Sequence, residues 1–269
     1  MPDAVQTGSA QDSAPGARAR IVTACVLLIG DELLSGRTRD ANLSYIATHL
    51  NRIGIQVREA RVIPDIEEVI VVTINEARAR YDYVFTTGGI GPTHDDITAD
   101  AVARAFGVGI DFNPEALEIL EAHYKMTGGE FTPARRRMAR IPEGASLIAN
   151  PVSKAPGFQI GNVFVMAGVP MVMQVMLDSI GGRLEGGATM QSRTVSGQIG
   201  EGQIAERLGE LQKRHPDVGI GSYPYYRGRV FGTSLVMRST DSLALERAAD
   251  EVAALLREFG VEPVLGDPA

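Results

Sequence analysis

Thr86-Thr87-Gly88-Gly89-Ile90-Gly91-Pro92-Thr93-His94-Asp95-Asp96 is the stretch from which the fold is read. It stands between an apolar strand, Tyr83-Val84-Phe85, and a helix expected from Thr98 to Phe106. Glycines let a backbone turn tightly and approach a ligand without side chains in the way. N–H groups at a helix start attract phosphate and other anions. The two carboxylates that follow would repel a bare phosphate, and a divalent cation between them and the phosphate oxygens removes that conflict. The segment therefore reads as a metal-assisted phosphate or pyrophosphate site.

Outward from this stretch, strands and helices alternate. Ile21 to Ile29 is an apolar run suited to a strand buried on both faces, ending at Gly30-Asp31-Glu32. A helix follows, with Leu43, Ile46, Ala47, Leu50 and Ile53 on one face and Gly54 as its stop. The strand Ile55 to Ile63 ends at Pro64-Asp65, and the next helix carries Glu67 and Glu68 in its first turn. This order is the signature of a parallel sheet covered on both faces. Beyond it, helices are expected over Glu115 to Tyr124 and Arg135 to Arg140, each entered through a proline, and a short strand over Ser146 to Asn150. A hairpin is expected around Gly161-Asn162, then Ala167-Gly168-Val169-Pro170 and an apolar helix, Met171 to Ile180. The fold class is α/β: a three-layer, mostly parallel sheet over residues 20–183. A smaller α+β domain over 190–267 has the strand–helix–strand–strand–helix–strand order of a ferredoxin-like fold, its last strand over Val261 to Leu265.

Composition sets bounds. Among 269 residues, 44% are hydrophobic and 22% charged, ordinary globular values. A net charge of -7 argues against nucleic acid as the main partner, since that footprint is a basic face. The single cysteine, Cys25, lies in an apolar strand and reads as a packing thiol. No run approaches the ~20 apolar residues of a membrane span. Residues 1–19 read as a loose tail rather than a signal peptide, so a cytoplasmic protein is expected.

In open α/β sheets, ligands bind beyond the carboxyl ends of the strands. Gly30-Asp31-Glu32, Asp65, Gly88 to Asp96 and Gly168-Val169-Pro170 all end strands, so a parallel sheet gathers them on one rim. Asp31, Asp95 and Asp96 are the candidate metal ligands and catalytic carboxylates. Gly30, Glu32, Asp65, Thr87, Gly88, Gly89, Gly91, Pro92, Thr93, Gly168 and Pro170 are the candidate binding residues. Asp is also a favoured helix cap, and Thr93 either stiffens the turn or donates to phosphate. His94 reads as an exposed loop residue. Arg135-Arg136-Arg137 and Lys154 read as solvated cations or as an anion clamp swung over the rim. Tyr223, Tyr225 and Tyr226 read as aromatic surface at a seam, and no residue set suggests a Ser or Cys nucleophile.

These motifs resemble the molybdopterin-binding (MoaB/Mog-type) domain family, and most closely its CinA-like, competence/damage-inducible branch. The resemblance runs from about Ile21 to Ile180. It rests on Gly30-Asp31-Glu32-Leu33-Leu34-Ser35-Gly36, Asn42, Thr87 to Thr93 with Asp95-Asp96-Ile97-Thr98, Asn150-Pro151-Val152 with Ala155-Pro156-Gly157-Phe158, and Gly168-Val169-Pro170. It implies the three-layer fold, a rim pocket that includes Asn42, and an essential aspartate at Asp96. Two positions depart from the branch. Met171-Val172-Met173 stands where Ser-Glu-Met is usual, which removes a rim carboxylate, and Ala167 stands where proline is usual. Full-length members also carry a C-terminal amidohydrolase-type domain acting on nicotinamide mononucleotide, and that activity is not carried over to this sequence.

Three functions are left open by this reading. The first is a binding protein for molybdopterin or a related pterin or nucleotide phosphate, with Mg²⁺ or another divalent cation. The second is a metal-dependent pyrophosphatase acting on ADP-ribose or FAD-type dinucleotides. The third is a non-catalytic scaffold. In each, the chain is expected to form a homo-oligomer, a dimer or a trimer.

Overall fold

Residues 20–228 and 230–267 are described by the computed structural model; the expected N-terminal tail lies outside them. The first strand, β1 (Val22–Ile29), decides the layering. Successive side chains of a strand point to opposite faces. Cys25, Leu27 and Ile29 enter one core and Val22, Ala24, Val26 and Leu28 another, all buried. Both faces of β1 are apolar, so both must be covered.

α1 (Asp31–Leu34) and α2 (Asn42–Arg52) follow, then β2 (Ile55–Ile63), α3 (Glu67–Arg80), β3 (Tyr83–Thr87) and α4 (Thr98–Phe106). Next come β4 (Ile110–Phe112), α5 (Pro114–Thr127), α6 (Pro133–Arg136), β5 (Arg140–Pro142), β6 (Ser146–Ile148), β7 (Gly157–Ile160), β8 (Val163–Met166) and α7 (Pro170–Ser179). The six-stranded sheet has the order β2-β1-β3-β8-β7-β6. Its first four strands are parallel, and β7 and β6 join antiparallel. Helices α3, α4 and α5 cover one face through Ile70, Ile74, Val102 and Leu120. Helices α2 and α7 cover the other through Ile46, Leu50, Met173 and Met176. The sandwich is the expected three-layer fold. Register then sets the site: Ile29 pairs with Ile63, Leu28 with Thr87, and Thr87 with Met166. Four strand ends are level on one rim.

Some expectations needed correction. Arg135 to Arg140 is not one helix. A single turn, α6, passes into a 3₁₀ turn over Arg137–Ala139, and Arg140 opens β5, which pairs with β4. The Asn113 N–H bonded to the Ala139 carbonyl (2.8 Å) and the β4 ladder draw this backbone away from helix. The strand expected over Ser146 to Asn150 stops at Ile148 because the Asn150 side chain organises a turn, accepting from Val152 and Ser153 N–H at 3.1 and 3.2 Å. Thr86 and Thr87, read as part of the loop, belong to β3.

The second sheet is built from β9 (Gln191–Gly197), α8 (Glu201–Arg214), β10 (Gly219–Arg227), β11 (Val230–Ser239), α9 (Ser242–Glu258) and β12 (Val264–Leu265). Its order, β10-β11-β9-β12, is antiparallel throughout, as a ferredoxin-like fold requires. Val195, Leu235 and Met237 pack under Leu208, Leu245 and Leu256. β12 is shorter than expected, because Val261 N–H closes α9 on the Leu256 carbonyl (3.0 Å) and Pro263 has no N–H to donate. No helix among the described residues is long and apolar enough to cross a membrane.

Candidate functional site

A cleft of about 550 Å³ opens at the rim where β1, β2, β3 and β8 end. Gly30 and Glu32 from the β1 end, Asp65 after β2, Gly88 to Pro92 with Asp95 and Asp96 after β3, and Gly168 and Pro170 after β8 all line it. Residues 138 positions apart in sequence thus share one wall.

The glycine loop is shaped by close approaches. Gly88 has φ +107°, and a Cβ there would lie 2.1 Å from the Ile29 carbonyl oxygen. Gly89 has φ +65°, and its Cβ would lie 2.2 Å from Thr98 Oγ1. Neither space nor backbone conformation admits a side chain at these two positions. Buried Thr98 then fastens the loop to α4: its hydroxyl donates to the Gly88 carbonyl and its N–H to that of Gly89, both at 3.0 Å. Gly168 packs on this turn, where a Cβ would come within 3.3 Å of Gly88 Cα.

The carboxylates are placed differently from one another. Asp96 Oδ2 accepts from the Thr93 N–H (2.8 Å) and hydroxyl (2.5 Å), which folds the acidic end of the loop. Asp95 is exposed, and hydrogen bonding by Thr93 and by its own N–H, with His94 adjacent, holds its carboxyl below the ordinary aspartate range. His94 itself is exposed. Asp65 accepts the Asp31 N–H at 2.9 Å. Burial raises the Asp65 pKa, and the Glu32, Asp31 and Asp95 carboxylates add to the rise against the opposing Asp31 hydrogen bond.

Four of the expected residues do not line the cleft. Asn42 is buried beneath it and donates Nδ2–H to the Gly168 carbonyl at 2.8 Å. Thr87 is buried in β3, and exposed Thr93 turns to Asp96. Asp31 offers its backbone rather than its side chain. The set Asp31, Asp95 and Asp96 is therefore not assembled as a three-carboxylate cage, and among the described residues no three His, Cys, Asp or Glu are placed to hold one ion. What is present is a looser donor set, Glu32, Asp65, Asp95 and Asp96, around one cleft. That fits Mg²⁺, which keeps several waters and takes one or two carboxylates together with ligand phosphates rather than an all-protein cage.

The sequence singles out Asn150, Ala155 and Lys154 without showing which of them faces the cleft. Asn150, Ser153 and Ala155 form part of the wall, held by Asn150 Nδ2–H donating to Ser153 Oγ (2.6 Å) and the Ala155 carbonyl (2.8 Å). An Asn-Pro pair followed by serine signals such a turn, although not the face it presents. Lys154, at φ +63°, belongs to a neighbouring groove of about 860 Å³ and not to the cleft. Among the described residues, the cleft lining holds four carboxylates and no lysine or arginine.

The family model for the probable molybdopterin binding domain matches residues 25–186, and that for the middle domain of FAD synthase matches residues 189–264. The chain belongs to the molybdopterin-binding-domain family. A CinA-like protein of Citrifermentans bemidjiense is 43% identical over 246 residues, covering 87% of this chain and 58% of the relative. This family member thus spans little more than half of that curated relative. A protein of Archaeoglobus fulgidus is 36% identical over 199 residues, covering 74% of this chain and 84% of that protein. Among solved structures, the CinA protein with unknown function from Thermoplasma acidophilum superposes with a TM-score of 0.55 at 34% identity, over 60% of this chain and 96% of that one. In the present family member the Val172 side chain, at the position read as a departure from the CinA-like pattern, is buried and lines the cleft. The departure falls on the cleft wall itself.

Proposed function

We propose that the rim cleft binds a phosphate-bearing pterin or nucleotide together with a divalent cation, Mg²⁺ being the first candidate. One observation carries this reading: a cleft of ligand size, with glycine backbone on its walls, whose charged side chains are all carboxylates. A phosphorylated ligand enters such a cleft only with its charge compensated. Glu32, Asp65, Asp95 and Asp96 would hold the cation, whose charge would offset part of the repulsion between these carboxylates and a phosphate. The chain's own part is to bring ligand and carboxylates together: Gly88 and Gly89 clear the space, Thr93 orients Asp96, and Asn42 fixes the Gly168 wall. Membership of the probable molybdopterin binding domain family supports a pterin as the organic part.

The test is thermal shift and titration calorimetry with ADP-ribose and a pterin phosphate, each with Mg²⁺ and with EDTA. Stabilisation that needs both ligand and Mg²⁺ is expected. Equal stabilisation in EDTA would remove the cation from the reading. A second reading, phosphoanhydride hydrolysis, would take an FAD-type dinucleotide as substrate; the FAD synthase middle-domain match at residues 189–264 suggests that nucleotide class and carries no hydrolysis. Release of AMP from ADP-ribose or FAD is its measurement.

A further inference from the structure

Four arginines stand between residues 135 and 140, and three of them have partners. The Arg135 guanidinium lies 4.3 Å over the Tyr124 ring and donates to the Glu130 carbonyl at 2.5 Å. Arg136 lies 5.3 Å over the Phe112 ring. Arg140 makes two bonds to the Asp100 carboxylate, at 2.8 and 2.6 Å. The guanidinium of half-buried Arg137 has no hydrogen bond or ion pair among the described residues.

Arg137 lines a second cavity, of about 20 Å³, behind the glycine loop. Gly89, Ile90, Gly91, Asp96 and Met138 wall both this cavity and the cleft, so the two compartments are neighbours across one loop. A guanidinium stays charged at any pH a protein tolerates, and once partly withdrawn from water it favours an oxygen acceptor. The carboxylates around it are engaged, Asp100 by Arg140 and Asp96 by Thr93. A cavity of this size has room for a water and not for a phosphate group. The oxyanion would then stay in the cleft, and the guanidinium would reach it.

We infer that Arg137 is the anion clamp of the cleft, taking phosphate oxygens of a phosphate or diphosphate ester at the glycine-loop end. It supplies the positive side chain missing from the cleft lining, and a guanidinium suits that role because its fork matches two phosphate oxygens at once. The inference rests on the cleft reading above.

The experiment measures ADP-ribose and inorganic pyrophosphate binding, in excess Mg²⁺, to the full chain and to Arg137→Gln, Arg137→Lys and Asp65→Asn. Arg137→Gln should weaken both probes about tenfold or more, the scale of one charge-assisted bidentate contact. Arg137→Lys should recover part of the loss, and the Tm of both should stay at the wild-type value because no partner is removed. Wild-type affinity in Arg137→Gln beside a loss in Asp65→Asn would overturn the clamp and leave the cleft reading standing. Lost affinity together with a fall in Tm of several degrees would also overturn it, by showing a scaffolding role. A wild-type chain that binds neither probe overturns the clamp and the cleft reading together.

Discussion

Asn42, the first residue of α2, donates its side-chain amide N–H to the carbonyl of Gly168, 126 residues further along the chain. The bond ties a helix start to the loop that forms the far wall of the cleft, and its donor is buried. Asn42 Oδ1 is also buried and has no partner among the described residues. The amide is thus committed to one task, holding Gly168 against Gly88.

Asn42→Ala should destabilise the protein by about 1–2 kcal/mol, since a backbone carbonyl loses its donor in a buried setting. Asn42→Asp should cost more at neutral pH, because a carboxylate would then face the Gly168 carbonyl. Urea unfolding of the two variants measures both, and wild-type stability in either would remove the tether from the account.

Gly88→Ala and Gly91→Ala should separate folding from binding. At Gly88 the new Cβ would meet the Ile29 carbonyl oxygen at 2.1 Å with φ at +107°, and a loss of more than about 3 kcal/mol is expected. At Gly91 the Cβ would lie 2.7 Å from Asp96 Oδ2, which is a movable side chain. Gly91→Ala should stay within about 1 kcal/mol of wild type while turning Asp96 from Thr93 and weakening Mg²⁺-dependent ligand binding. Calorimetry of the two variants side by side decides this, and unimpaired binding by Gly91→Ala would count against a role for Asp96.

The hydroxyl of Thr98 and the carbonyl of Gly88 form a buried pair. Thr98→Val keeps the shape and removes the donor, so a loss of about 1–3 kcal/mol is expected. Thr98→Ser should retain most of the stability. If valine is tolerated as well as serine, the bond does not hold the loop.

Asp65 gives a pH dependence of defined sign. Its pKa is raised in the folded state, so the folded protein binds a proton at Asp65 more readily than the unfolded chain does. Its ionised form therefore lowers stability above the raised value, and this penalty disappears as pH falls through it. Asp65→Asn, which still offers an oxygen to Asp31 N–H, should have a higher Tm than wild type near pH 7. The difference should shrink toward zero below about pH 4, the ordinary aspartate range. Melting curves between pH 3 and 8 test the sign; a difference that grows on acidification would refute it.

Much of the layering was legible because apolar strand residues and helical periodicity report burial directly. β2 and α4 begin and end where the sequence places them, Ile55–Ile63 and Thr98–Phe106, since each is bounded by glycine, proline or a polar turn. The convergence of Gly30, Asp65, Gly88 and Gly168 followed from one premise, a parallel sheet. What escaped was decided by contacts remote in sequence. The pairing of Arg140 with Phe112 overrides a helical pattern, and the turn of Asp96 toward Thr93 changes which oxygens face the cleft. Arg137 could not be told from Arg135 and Arg136 before Tyr124 and Phe112 were seen to claim those two.

The sheet order also has a kinetic consequence. β8 lies beside β3 although 75 residues separate Thr87 from Val163, and α4 through β7 must fold between them. Closing so long a loop costs entropy before any contact is gained, and parallel pairings of this kind form slowly. A nascent chain halted before Val163 would possess the glycine loop and all the cleft acids but not the Gly168 wall. Any ligand that needs the Gly168 wall would then meet only the finished domain, and its binding would report the last stage of assembly.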